Sequence, residues 1–199
     1  MTAAILAGGK GTRIGTNKAF LEIGGKPLIE ILLEKVEGLF EEVHIIANSP
    51  HLYEYLNAKV SADMIPGRGS LGGIYTALRL ASFPQAFCLA CDMPFIEPGF
   101  IRYMMEVAAG YDIVIPKTAD GLEPLHAIYS KACIPHIERL MQADDLKIIH
   151  FFSEMRARVL EEEIHPFDPH GMLFFNINTP EDLKKARRHW QMLEGKATF

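Results

Sequence analysis

Three cysteines in 199 residues are too few for a disulfide framework, so the fold must rest on a packed core. No apolar run approaches the ~18 residues that a membrane-crossing helix needs. The N-terminus lacks a basic segment, a long apolar stretch and a cleavage site, and the expected compartment is the cytoplasm. A basic stripe is also lacking. The net charge of −5 argues against general nucleic-acid binding, although not against a single nucleotide held by local charge. Eight histidines are scattered without ligand spacing, which speaks against a zinc site. No linker, low-complexity tract or repeat divides the chain, and the reading is one domain over 1–199. Cys88 and Cys91 sit three apart on a strand-like run. Their side chains should face opposite sides, as buried structural thiols and not as a redox or metal pair.

What is present is concentrated near the start. The apolar run Ala3-Ala4-Ile5-Leu6 leads into Leu6-Ala7-Gly8-Gly9-Lys10-Gly11-Thr12-Arg13-Ile14-Gly15-Thr16-Asn17-Lys18. A buried strand followed by four glycines and several cations is suited to a bulky anion. Glycine allows close backbone approach, and Arg13 and Lys18 can balance phosphate charge. The segment has neither the Gly-x-Gly-x-x-Gly dinucleotide fingerprint nor a Gly-Lys followed by Ser or Thr. An ordinary glycine-rich turn with solvated cations is the plainer alternative.

Strand-like and helix-like stretches then alternate. Strands are expected at Ala3–Leu6, Val43–Ala47, Ala86–Ala90 and Ile113–Ile115, with additions at His126–Ser130 and an edge at Ala157–Leu160. Helices are expected from Pro27 to Leu39, near His51–Leu56, and over Leu71–Ala81 and Pro98–Ala109. Further helices are read at Lys131–Met141 and Leu146–Phe152. This order predicts a Rossmann-like, three-layer α/β/α fold with a mostly parallel central sheet. Ligands of such sheets collect at the carboxyl ends of the strands, which groups the first loop with Asn48 and Asp92.

Asp92 ends an apolar strand and precedes Met93-Pro94-Phe95, a place where one carboxylate can hold Mg2+ together with phosphate oxygens. A turn-capping role is the alternative. The stretch from Asp63 to Gly73 is rich in glycine just ahead of a helix, which suits contact with a nucleotide, while Ser70 could simply cap that helix. Late in the chain, Thr179 and Asp182 have capping-box spacing. Capping alone does not explain both Asn176 and Asn178.

Taken in order, these motifs resemble those of the MobA-like nucleotidyltransferases, and within them the molybdenum cofactor guanylyltransferases. The matching pieces are Leu6-Ala7-Gly8-Gly9, Arg13-Ile14-Gly15, Lys18, Gly25-Lys26-Pro27-Leu28 and Gly69-Ser70-Leu71-Gly72-Gly73. They continue with Cys91-Asp92-Met93-Pro94, Glu123-Pro124-Leu125-His126-Ala127-Ile128-Tyr129 and Asn176-Ile177-Asn178-Thr179-Pro180. The resemblance implies an enzyme that joins GMP from GTP to molybdopterin and releases pyrophosphate. It places Leu6, Ala7, Gly8, Gly9, Asn48 and Asp63 at the nucleotide and Lys18 at its phosphates. Arg13, Lys18 and Asp92 would serve catalysis, with Asp92 holding Mg2+ and Asn176 and Asn178 on the pterin side. Transient contact with proteins that insert molybdenum or accept the cofactor is compatible with it. Asn17 stands where many relatives have Asp, which removes a negative charge beside Lys18. A cytidylyltransferase on the same scaffold and a nucleotide-binding regulator without turnover remain the alternatives.

Overall fold

The computed structural model describes residues 1–8 and 17–196. The candidates Gly9 and Arg13 lie outside the described residues. In chain order the strands are β1 (Thr2–Leu6), β2 (Glu22–Ile23), β3 (Lys26–Pro27), β4 (Glu42–Ile46) and β5 (Lys59–Ser61). They continue as β6 (Gln85–Ala90), β7 (Ile113–Thr118), β8 (Gly121–Leu122), β9 (His126–Ser130) and β10 (Ala157–Leu160). The helices are α1 (Leu28–Val36), α2 (Gly69–Leu80), α3 (Pro98–Glu106), α4 (Ile134–Gln142) and α5 (Pro180–Lys196).

The main sheet has the order β10-β7-β9-β6-β1-β4-β5, with β8 paired to β7. β1 lies parallel to both β4 and β6, and β4 is parallel to β5. β9 runs antiparallel between β6 and β7. The mostly parallel sheet expected from the sequence is therefore present, with β9 the reversed insertion.

Apolar runs form these central strands because both faces are covered. Ala3 and Ile5 of β1 point to one side, into a cluster with Ile29 and Leu32 of α1 and Phe100 and Met104 of α3. Ala4 points to the other, with Leu71, Ile74 and Leu78 of α2 and Ile137 of α4. Phe87 and Cys88 of β6 divide in the same way, and Cys91 falls on the face opposite Cys88. All three cysteines are buried and free, as their spacing implied.

Several helical expectations are revised. The stretch near His51–Leu56 is a 3-10 turn at Pro50–Tyr53, and that near Leu146–Phe152 is a 3-10 segment at Ile148–Glu154. α1 begins after Pro27, which is drawn into extended pairing with Glu22. It stops at Val36 because Glu37 is extended and Gly38 has a φ of 80°. Two-residue strands carry no readable periodicity, so the β2–β3 hairpin was not anticipated. Its turn residues Gly24 and Gly25 have φ of 60° and 78°, the left-handed pair that suits a two-residue hairpin.

A third cluster, with Ile23, Leu28, Phe95, Ile177 and Ala186, fastens the C-terminal part against α1 and the hairpin. Within it the Ile177 N–H donates to the Asp92 carbonyl at 3.0 Å, which brings the C-terminal strip to the end of β6. Among the described residues no helix is long and apolar enough to cross a membrane.

Candidate active site

The carboxyl ends of β1, β4 and β6 meet at one cleft. The chain leaving β1 is held there by Ala7 N–H to Ile46 O at 2.8 Å and by Cys91 N–H to Leu6 O at 3.2 Å. The cleft has a volume of about 480 Å³. Its walls include Leu6, Ala7, Gly8, Lys18, Asn48, Asp63 and Asp92, so the described candidates from four separate segments converge as the parallel topology requires.

Lys18 is the hub. Its Nζ donates to Asp92 Oδ2 at 2.8 Å and to Asn178 Oδ1 at 2.6 Å. The side chains of Lys18 and Asp92 are only 21% and 17% exposed, so this is a partly buried, charge-assisted contact. Lys18 opens a 3-10 turn whose cap is Asn17, with Asn17 Oδ1 accepting from Ala19 N–H at 3.1 Å. Asn17 Nδ2 donates to the hydroxyl of the buried Tyr53 at 2.9 Å. An Asp at position 17 could accept but not donate there. The amide thus joins two elements while leaving Lys18 to Asp92 and Asn178.

On the opposite wall Asn48 Nδ2 donates to the Gly8 carbonyl at 2.6 Å. Asp63 is half-buried, and burial raises its pKa above the ordinary carboxylate value. Its Oδ1 is buried without a hydrogen-bond partner among the described residues. An orphaned carboxylate oxygen on a cleft wall is costly unless a ligand donates to it.

The start of α2 supplies Gly69 and Ser70 to the same cleft. Gly67 and Gly69 have φ of 82° and 56°, conformations that glycine adopts freely. Ser70 does not cap the helix; the cap position is Arg68, and it makes no side-chain cap bond. The N–H groups of this first turn are therefore left to face an anion or a ligand carbonyl. Leu125 and Leu146 form apolar parts of the wall. Leu146 was not anticipated, because a leucine among polar residues carries no local mark of a cleft whose other residues lie far away in the chain.

The two late asparagines separate. Asn178 reaches Lys18, whereas Asn176 Nδ2 bonds the Phe174 carbonyl at 3.1 Å within its own segment; neither asparagine is on the cleft wall itself. The capping box forms reciprocally: Thr179 N–H donates to Asp182 Oδ2 at 2.8 Å, and Asp182 N–H to Thr179 Oγ1 at 3.1 Å.

No group of three or more His, Cys, Asp and Glu side chains is placed to hold a metal among the described residues. Mg2+ needs no such group, since it takes one or two carboxylates and shares substrate phosphates. Asp92 Oδ2 and Asn178 Oδ1 are both hard oxygens, and they already converge on one cationic group, the Lys18 ammonium.

The chain is similar to known proteins over nearly its whole length. Residues 3–159 match the family model described as the MobA-like NTP transferase domain. A probable molybdenum cofactor guanylyltransferase of Pelotomaculum thermopropionicum is 42% identical over 187 residues, covering 94% of this chain and 91% of that protein. A molybdenum cofactor guanylyltransferase of Desulfosudis oleivorans is 36% identical, covering 94% of each. The crystal structure of molybdopterin-guanine dinucleotide biosynthesis protein A from Archaeoglobus fulgidus superposes with a TM-score of 0.86 at 34% identity. That match covers 96% of this chain and all of the other. On that family match and those identities over nearly the full length, the chain belongs to the MobA-like NTP transferase family.

Proposed function

We propose that this protein transfers GMP from GTP to molybdopterin, releasing pyrophosphate and forming the guanine dinucleotide cofactor. The observation that carries the reading is the Lys18 ammonium between Asp92 and Asn178 at the mouth of a nucleotide-sized cleft. It is supported by relatives named molybdenum cofactor guanylyltransferase over nearly the full chain.

In this account Leu6, Ala7 and Gly8 bring backbone close to the nucleotide, and Asn48 holds that turn through the Gly8 carbonyl. Lys18, with Arg13 from the glycine-rich loop, offsets phosphate charge. Asp92 is the carboxylate that would hold Mg2+, which supplies further charge neutralisation at the phosphates when bound. A terminal phosphate oxygen of molybdopterin attacks the α-phosphorus in line; the bond to the bridging oxygen breaks and its electrons leave with pyrophosphate. That attacking phosphate is largely ionised near neutral pH, so a dedicated protein base is not required. The work of the protein is positioning and charge compensation.

Asp63 favours guanine as the base. It lines the cleft, its carboxylate oxygens are acceptors, and guanine carries adjacent N1–H and N2–H donors. Asn178 is assigned to the second substrate, on the side where the C-terminal strip meets Lys18. The three free thiols fit a reducing, cytoplasmic setting. Incubating the protein with GTP, Mg2+ and molybdopterin and weighing the product by mass spectrometry tests the reading. The guanine dinucleotide mass is expected; unreacted molybdopterin beside intact GTP would refute it.

A further inference from the structure

The loop that carries Asp92 is tied down by a residue that does not line the cleft. Lys35 lies in the last turn of α1, and its Nζ donates to the Pro94 carbonyl and to the Ile96 carbonyl, each at 3.0 Å. We infer that Lys35 is a positioning residue for the Asp92 carboxylate, acting through the loop between β6 and α3.

Packing holds the side chains of the loop, with Met93 and Ile96 in one cluster and Phe95 in another, but its backbone needs partners of its own. It belongs to no strand or helix between Ala90 and Pro98, and Pro94 has no N–H to give. Met93, Phe95 and Ile96 are buried, so their backbone groups have little access to water. The Asp92 carbonyl is taken by Ile177 N–H, and the Pro94 and Ile96 carbonyls by Lys35. α1 is itself gripped on two sides, through Ile29, Leu32 and Val36 in one cluster and Leu28 and Ile31 in another. The ammonium thus fastens a loop without regular structure to a rigid helix, two and four residues beyond Asp92.

Burial pulls the Lys35 pKa down from its ordinary value, with Glu97 acting in the opposite sense. The ammonium recovers that hydration cost through the two carbonyls, and removing it leaves both acceptors unpaired, which lowers stability as well as freeing the loop. The geometry places the benefit in the orientation of Asp92, in the manner of outer partners that orient metal-binding carboxylates.

This inference rests on the assignment of Asp92 to a divalent cation, and the experiment separates the two. Mn2+ is titrated by electron paramagnetic resonance into the full protein with α,β-methylene GTP, alongside thermal melts. Lys35→Met and Lys35→Gln are each expected to fold but melt below the parent, since one or both carbonyls lose their donor, while Mn2+ affinity falls on the order of tenfold, the lower end of the range for lost outer partners. Lys35→Arg keeps charge and donors, and is expected to recover most of that affinity. Asp92→Asn is the control: parent-like Mn2+ binding in that variant overturns the metal assignment itself. If Asp92→Asn loses Mn2+ while either folded neutral variant at position 35 binds it like the parent, the role of Lys35 is overturned. Failure of both neutral variants to fold, with Lys35→Arg folded and parent-like, overturns it equally, because Lys35 would then serve stability.

Discussion

The Lys18 ammonium stands 2.8 Å from Asp92 Oδ2, joining residues 74 positions apart in the chain. Each side chain balances the other in the absence of ligand. Asp92→Asn removes the hard anionic ligand and the partner of Lys18 together. Pyrophosphate release should fall by about two orders of magnitude or more, the usual cost of losing one preorganised electrostatic group. The fold should persist, with a melting temperature close to the parent's. Lys18→Met should weaken GTP binding and slow transfer, read by calorimetry and by pyrophosphate release.

The late asparagines should behave differently from each other. Asn178→Ala removes the amide oxygen facing Lys18 but leaves the backbone N–H that bonds Asp182 at 3.0 Å. Transfer to molybdopterin should drop while GTP affinity and melting temperature stay close to the parent's. Asn176→Ala loses a bond to Phe174 O, and should cost about 1 kcal/mol of stability with transfer per folded molecule intact. A melting loss with normal transfer in Asn178→Ala would remove Asn178 from the second-substrate site.

Acid should destabilise the protein in two stages. His126 is fully buried among Phe87, Phe100 and Phe174, with neither ring nitrogen hydrogen-bonded among the described residues. Burial lowers its pKa to about 3 from the ordinary 6.5. The unfolded chain therefore binds this proton first, and stability falls as pH drops from 6.5 toward 3. For Glu42, burial pushes the pKa up, but bonds from Lys59, Ser82, Thr2 and His44 outweigh it and hold the carboxyl far below its ordinary range. Its contribution is full above the ordinary 4.5 and is lost as pH falls below it. Urea denaturation between pH 7 and pH 3 checks both. His126→Phe should flatten the upper stage, and Glu42→Gln the lower.

The hairpin glycines offer a test of packing. Alanine at Gly25 meets open space and pays only for its left-handed backbone, roughly 1–2 kcal/mol. Alanine at Gly24 carries that strain and also drives its Cβ into the Trp190 indole at Nε1. Gly24→Ala should be distinctly the less stable of the two in denaturant melts.

The parts of this molecule legible in the sequence are those whose physics is local. β1 and β6 are short apolar runs because each is covered on both faces, and the loops that follow them carry Gly8 and Asp92 to the expected end of the sheet. Thr179 and Asp182 form their box at the spacing that announces it. Contacts set by tertiary packing were not legible. Asn178 meets Lys18 across 160 positions, and nothing near either residue names the other. Lys35 reads as one more cation on a helix, since the carbonyls it serves lie 59 and 61 positions away. Two-residue strands and 3-10 turns leave no periodicity to read, which is why the β2–β3 hairpin and the Pro50–Tyr53 turn departed from expectation.

The central claim, a guanylyl transfer to molybdopterin, is tested most directly by pyrophosphate release from a nucleotide panel with Mg2+ and purified molybdopterin. A cleft whose buried acceptor goes unpaired with the wrong base can discriminate by large factors. GTP is predicted to react well ahead of CTP, ATP and UTP, and Asp63→Asn to narrow that margin. A preference for CTP, or molybdopterin-independent silence with all four nucleotides that molybdopterin does not relieve, would contradict the account.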